Sequence, residues 1–180
     1  MRALQITPET TVLDVGGTSA TWTALGARCP RVTLLNILPE QSPIFPYVQA
    51  NALNIPFPDN SFDVVFSNSL IEHVGGWEDQ QQCAREMSRV GKRLWIQTPN
   101  RRFPIEPHLL APFIHWLPRS VQRVLIPLTP RSFFSDEFQS VMEVWNSTIL
   151  LDEGQMRELF PNRNLHRERM LGLTKSFIVC

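Results

Sequence analysis

Five short runs rich in β-branched and apolar residues punctuate the first hundred residues: Thr11–Val15 (TVLDV), Val32–Leu35 (VTLL), Tyr47–Ala50 (YVQA), Phe62–Ser67 (FDVVFS) and Leu94–Thr98 (LWIQT). Their near-continuous apolar character suits strands covered on both faces, the environment of a parallel sheet. Between the fourth and fifth runs, Trp77, Ala84, Met87 and Val90 recur at helical spacing. Glu78 and Asp79 stand in the first turn, Arg85 and Arg89 later, and Gly91 follows. These are the start and stop signals of a helix over Trp77–Val90. Strands alternating with crossovers predict an α/β fold with right-handed connections, read here as one domain over residues 1–180. In the tail, a helical segment Asp152–Phe160 precedes two short strands, Leu165–Arg169 and Lys175–Val179. The MLGLT between them is too short for the crossover that parallel neighbours need. The expected architecture is a doubly wound, mostly parallel seven-stranded sheet with an antiparallel last strand.

Charge and cysteine content remove several functional classes. Seventeen basic side chains balance seventeen acidic ones, without the basic excess of a nucleic-acid binder, so no nucleic-acid partner is expected. No run of about 18 apolar residues occurs, and MRALQITPETTVLDV lacks the charged, apolar and small-residue regions of a signal peptide. The expectation is a cytoplasmic protein without stable membrane insertion. Cys29, Cys83 and Cys180 match neither a disulfide framework nor a zinc half-site, and read as thiols of a reducing compartment. No His, Cys or acidic cluster has zinc spacing, so no metal is expected.

In sheets of this kind ligands bind beyond the carboxyl ends of the strands, where strand order reverses. The first run ends in Asp14, followed by Gly16 and Gly17. Glycines let the turn tighten and let a ligand approach the backbone, although any strand-to-helix turn favours them. GxGxxG is absent, which counts against a nicotinamide-dependent oxidoreductase. Asn36 and Asn51-Ala52 follow the second and third runs, so polar groups stand at three consecutive strand ends, as a bound nucleoside requires.

The segment after the third run reads NALNIPFPDNSFD, Asn51 to Asp63. It resembles the D-A-x-x-L-P-F-x-D-x-S-F-D run of class I S-adenosylmethionine-dependent methyltransferases, a Rossmann-like family. The resemblance extends from VLDVGG through SNSLIEHV and REMSRVGKRLWIQTPN to ERMLGLTKSFIV. It implies S-adenosyl-L-methionine as cofactor: Asp14, Gly16 and Gly17 lining its methionine and ribose, Asn36 meeting the ribose hydroxyls, Asn51 and Ala52 the adenine, and Asn68 the methionyl part. Three positions depart from the family pattern. Thr18 replaces a glycine, and Asn36 and Asn51 replace acids, so the amides lack the stronger charge-assisted bond. Only about ten residues precede the first strand, and the crossover LPEQSPIFPY is too proline-rich for a full helix. A minimal enzyme, a fragment and a non-catalytic, methyltransferase-like binding or partner subunit all remain open.

Methyl transfer from a sulfonium is mainly a matter of positioning, and a base is needed only where the acceptor must lose its proton early. His73, after Glu72, is a candidate base or a structural histidine. His108 with Glu106 is a candidate base with its orienting carboxylate; in the alternative, Glu106 caps a following helix and His108 faces solvent. His166 reads as solvated. Seven prolines between Pro99 and Pro130 break up the segment after the fifth run. An insertion this long is usually functional. Residues 101–135 include Leu109, Leu110, Phe113, Ile114, Trp116 and Leu117. They read as apolar groups packing on the domain, as a helical lid over an apolar pocket for a small-molecule acceptor, or, with Arg119, Arg123 and Arg131, as a lipid-facing surface.

Overall fold

The computed structural model describes residues 6–23, 30–41, 44–106, 108–133 and 138–180. Cys29 lies outside them. Five parallel strands, β1 (Thr11–Val15), β2 (Arg31–Asn36), β3 (Tyr47–Gln49), β4 (Phe62–Asn68) and β5 (Gly91–Pro99), are joined by β8 (Leu165–Met170) and β9 (Leu173–Val179) in the order β3-β2-β1-β4-β5-β9-β8. β9 runs antiparallel to both its neighbours, as the short connection demands. Its hairpin is tighter than expected, because Leu171 and Gly172 both adopt positive φ, 51° and 82°. Strand order reverses between β1 and β4, so the carboxyl end of β1 opens at the switch point.

Each strand buries alternate side chains on opposite faces. Leu13, Val65, Leu94, Ile96 and Phe177 pack beneath α2 (Trp77–Val90) and α6 (Glu153–Leu159), where Cys83, Ala84, Met87 and Met156 complete the core. Burial pushes the Cys83 thiol up to about 12, so it behaves as a small apolar group. On the other face, Val12, Leu34 and Val64 pack against Trp22 of the short α1 (Ser19–Thr23). Trp22 meets Phe66 edge-on at 5.2 Å, and Phe66 stacks on Trp95 at 4.6 Å.

The NALNIPFPDNSFD run is tied to α2 by Arg89, which donates to the Ile55 and Phe57 carbonyls, to Asp59 and to Glu86. Glu86 in turn accepts from the Ile55 amide at 2.8 Å. Asp63 ends the run by accepting from the Thr11 amide and hydroxyl and from Lys92, contacts that hold its carboxyl well below the usual range. This run therefore fixes the floor of the sheet rather than lining a cavity over most of its length.

The segment after β5 departs from a purely helical insertion. It opens with a hairpin, β6 (Ile105–Glu106) against β7 (Ala111–Pro112), and continues through α3 (Arg119–Leu125) and α4 (Pro130–Phe133) to α5 (Phe138–Ser147). Leu110, at φ 53°, leads the chain into β7, and Phe113, at φ 59°, turns it out of β7. Leu109, Ala111, Ile114 and Ile126 build a separate small core on Trp145 of α5.

Candidate functional site

Asp14, one residue before the end of β1, is 2% exposed, and its carboxylate accepts from the Trp22 indole at 2.6 Å. Burial outweighs that bond and pushes its pKa up to about 6. The carboxylate packs directly on Gly17, where any Cβ would lie 1.9 Å from Asp14 Oδ2. Gly16 takes φ +83°, and a Cβ there would meet Leu70 at 2.9 Å. Both glycines are thus demanded by the turn itself, one by conformation and one by the acid beneath it.

Asn36 has an inward role that the sequence did not disclose. Its amide nitrogen approaches the Gly16 and Gly17 carbonyls at 3.2 and 3.3 Å, while its oxygen accepts from the Leu38 amide. It is a donor that holds the glycine turn. Asn51 likewise commits its oxygen to the Leu53 amide at 2.9 Å. Gly16, Asn36, Asn51, Ala52, Leu70 and His73 line a cavity of about 160 Å³ at this end of the sheet. Asn68 lines a second cavity of about 610 Å³. Trp95 and Gln97 of β5, Ile178 of β9, and Phe103, Ile105 and Leu110 of the inserted segment also face this second cavity. The six residues between β4 and Gly75 thus separate the two spaces: Ser69, at φ 54°, faces the larger, and Leu70, His73 and Val74 the smaller.

Behind this divider the fold assembles a polar cluster. His73 Nε2 lies 3.1 Å from His108 Nε2, and His108 Nδ1 lies 2.6 Å from Glu106 Oε1. Glu106, fully buried, also accepts from the Leu109 amide, so it both holds His108 and closes the hairpin. His108 does not face solvent: its side chain is 17% exposed. Thr148 Oγ1 lies 3.2 Å from His73 Nδ1, and Thr98 donates to Glu72 Oε2 at 2.8 Å. Burial and then the neighbouring His108 push His73 down to about 4. For His108, burial opposes the charge but Glu106 outweighs it and raises the pKa. Burial raises that of Glu72. Glu72, His73 and His108 present ligating atoms no more than 4.8 Å apart. Sequence spacing had offered no metal set because these residues come from two distant segments. Glu72 adjoins His73 and was legible as a neighbour; nothing in the sequence marked Thr148. His115 bonds the Arg101 carbonyl and His166 lies on exposed β8, both away from the cluster.

No helix among the described residues is long and apolar enough to cross a membrane. Residues 13–94 match the family model described as a methyltransferase domain. A probable S-adenosylmethionine-dependent methyltransferase of Mycobacterium tuberculosis is 44% identical over 57 residues, 30% of this chain and 20% of that one. The match thus spans about a fifth of the curated relative's length. Among solved structures, a Methanosarcina mazei S-adenosylmethionine-dependent methyltransferase shares the fold with a TM-score of 0.55 at 14% identity, over 97% of this chain and 92% of that one. A Rhodobacter sphaeroides chain named as a candidate Zn-dependent alcohol dehydrogenase is similar at TM-score 0.62 and 14% identity, over 97% and 84%. At that identity these two likenesses speak for the fold. Taken with the strand order and the glycine turn after β1, they show a fold shared with S-adenosylmethionine-dependent methyltransferases, within which residues 13–94 carry the match to a methyltransferase domain.

Proposed function

We propose that this chain is an enzyme that moves the methyl group of S-adenosyl-L-methionine to a small, largely apolar acceptor. The observation that carries the reading is the pair of cavities on either side of the segment following β4, one at the glycine turn and one against β5. Polar atoms of Asn36 and Asn51 edge the smaller cavity, and Leu35, Ala52 and Leu70 wall it. That mixture suits a purine and ribose. Because Asn36 Oδ1 already accepts from the Leu38 amide, a ribose hydroxyl would share that oxygen rather than take it alone. Asp14, Gly16 and Gly17 form the turn beside which the methionyl part would lie, its positive sulfonium and ammonium complementing the Asp14 carboxylate. Asn68 would face the acceptor side, since it lines the larger cavity.

Bound, the cofactor supplies an activated methyl group; the chain supplies position, exclusion of water and a place for the acceptor's proton. The described part of residues 101–135 serves as the lid, with Phe103, Ile105 and Leu110 on the acceptor's space. His73 is the histidine that reaches a cavity wall, and His108 with Glu106 stands behind it. The two form the catalytic pair, His73 at the wall of the cofactor-side cavity, on the divider between the two spaces, and His108 positioning it. Nothing favours the non-catalytic subunit over this reading: the turn is intact despite Thr18, and the amides at Asn36 and Asn51 serve the backbone.

Calorimetric titration tests the assignment. S-adenosylmethionine and its demethylated product should bind one per chain, and nicotinamide dinucleotides should not. Binding of a nicotinamide dinucleotide alone would overturn it. With a labelled methyl donor and a panel of apolar acceptors, His73→Ala should lower turnover by about a hundredfold while leaving donor affinity within a few-fold.

A further inference from the structure

We propose that Glu72, His73 and His108 bind one divalent transition-metal ion, Zn²⁺ by the chemistry of the set, where the carboxyl end of β4 meets the inserted hairpin. Three observations converge on this. The first is the facing pair of imidazole nitrogens: His73 Nε2 and His108 Nε2 are 3.1 Å apart. Two nitrogens bound to one ion at roughly 2.0–2.1 Å lie between about 3 and 4 Å apart, so this spacing is already that of a shared ion.

The second is the way each ring is held from behind. His108 Nδ1 meets the buried Glu106 carboxylate at 2.6 Å, and His73 Nδ1 meets the Thr148 hydroxyl at 3.2 Å. An imidazole whose far nitrogen donates to a carboxylate or hydroxyl turns its near nitrogen's lone pair forward, which is the arrangement of a ligating histidine. Where both far nitrogens donate, two lone pairs face each other, and a shared proton or a cation stands between them.

The third is Glu72. Its side chain is wholly buried, Thr98 satisfies Oε2, and Oε1 has no partner in hydrogen-bond geometry among the described residues, since the neighbouring Ser69 hydroxyl donates to Gln97 Oε1. A buried, unpaired carboxylate oxygen is costly. A proton shared by the two rings would relieve the imidazole contact but leave Oε1 unpaired, whereas a dication relieves both. The widest separation in the set, 4.8 Å, must close by about 1.4 Å to reach the roughly 3.4 Å between ligand atoms of a tetrahedral ion at roughly 2.1 Å.

Two imidazoles and a carboxylate favour Zn²⁺ and its neighbours over Mg²⁺ or Ca²⁺, which prefer all-oxygen sets. Three protein ligands leave a position open to one oxygen of another molecule. If the methyl-transfer reading is right, that oxygen is an acceptor hydroxyl, His73 and His108 act on it through the ion rather than as a free base, and the class of acceptor narrows to hydroxylated compounds. The site itself does not depend on that reading.

The test uses the full chain stripped of metal and dialysed against Zn²⁺, with bound ion measured by elemental analysis and with Co²⁺ as a visible-absorption probe. One ion per chain is expected, with the absorption of imidazole-ligated Co²⁺. His73→Ala and His108→Ala should abolish retention. Glu106→Gln, which loosens only the outer support, should weaken it about 10–100-fold, and His166→Ala should leave it unchanged. In the unaltered protein, Zn²⁺ should shift the ring signals of His73 and His108 and not those of His166. The proposal is overturned if the unaltered chain retains no ion, if both histidine variants retain it, or if the His73 and His108 ring signals do not move. Failure to bind S-adenosylmethionine would touch the methyl-transfer reading and leave this outcome as it stands.

Discussion

Asp14 carries a cost that a single atom exchange can remove. Burial at the end of β1 raises its pKa from the ordinary 3.8 to about 6. At pH 8 the folded chain therefore holds a carboxylate it would ionise far more easily unfolded, a penalty of ~3 kcal/mol. Because the folded pKa lies above the unfolded one, the stability tied to the protonated form is complete below about pH 3.8 and lost as pH rises through about 6. At pH 4.5 the penalty shrinks to ~1 kcal/mol. Asp14→Asn keeps an oxygen for the Trp22 indole, removes the charge, and fits the space above Gly17 because the side chains are the same size. The new amide NH₂ costs ~1 kcal/mol where it finds no acceptor. The net gain at pH 8 is then ~2 kcal/mol, falling to nothing near pH 4.5. Urea denaturation of both proteins at the two pH values measures it directly. For a chain this long the gain should appear as a rise of about 4–8 °C in Tm at pH 8. If the variant is less stable at pH 8, or differs from the parent by the same amount at both pH values, the burial argument is wrong. The same variant should bind S-adenosylmethionine more weakly, since the anion that destabilises the free protein complements the positive donor.

Three further outcomes follow from the turn and its supports. Gly16→Val should destabilise the fold by about 2–3 kcal/mol before any question of cofactor arises, because position 16 combines φ +83° with Leu70 at 2.9 Å; chemical denaturation of the free protein reads this. Asn36→Asp should cost about 1–3 kcal/mol and weaken cofactor binding, since it sets a carboxylate oxygen against the Gly16 and Gly17 carbonyls that now receive an amide; calorimetry showing tighter binding would contradict it. Arg89→Ala should loosen the Asn51–Asp63 run, whose carbonyls at Ile55 and Phe57 lose their donor, and hydrogen exchange should rise there with a stability loss of about 1–3 kcal/mol.

The expectation that Asn36 and Asn51 serve as acceptors for the cofactor came from their place at strand ends, and place was all the sequence could offer. Strand ends, the α2 boundaries, the glycine turn and the antiparallel tail are local patterns: each is written in residues within a few positions of one another, and the sheet reproduces them. Direction of a side-chain amide is not local. Asn36 turns inward because two carbonyls 19 and 20 residues earlier need a donor there.

The inserted segment shows the same division. Proline spacing announced that no long helix could form after β5, yet it could not say that the segment opens as a hairpin. That was decided by Glu106, which finds the Leu109 amide and the His108 ring when the chain doubles back. The histidine cluster is the extreme case. His73 and His108 stand 35 residues apart, and Thr148 a further stretch beyond. Sequence by itself determined which strands exist, how they alternate with helices and where the glycine turn lies, because hydrophobic period and backbone conformation are properties of short segments. Only the packed structure decided that Glu72, His73, His108 and Thr148 share one buried space, because that depends on which strand ends the sheet order sets side by side.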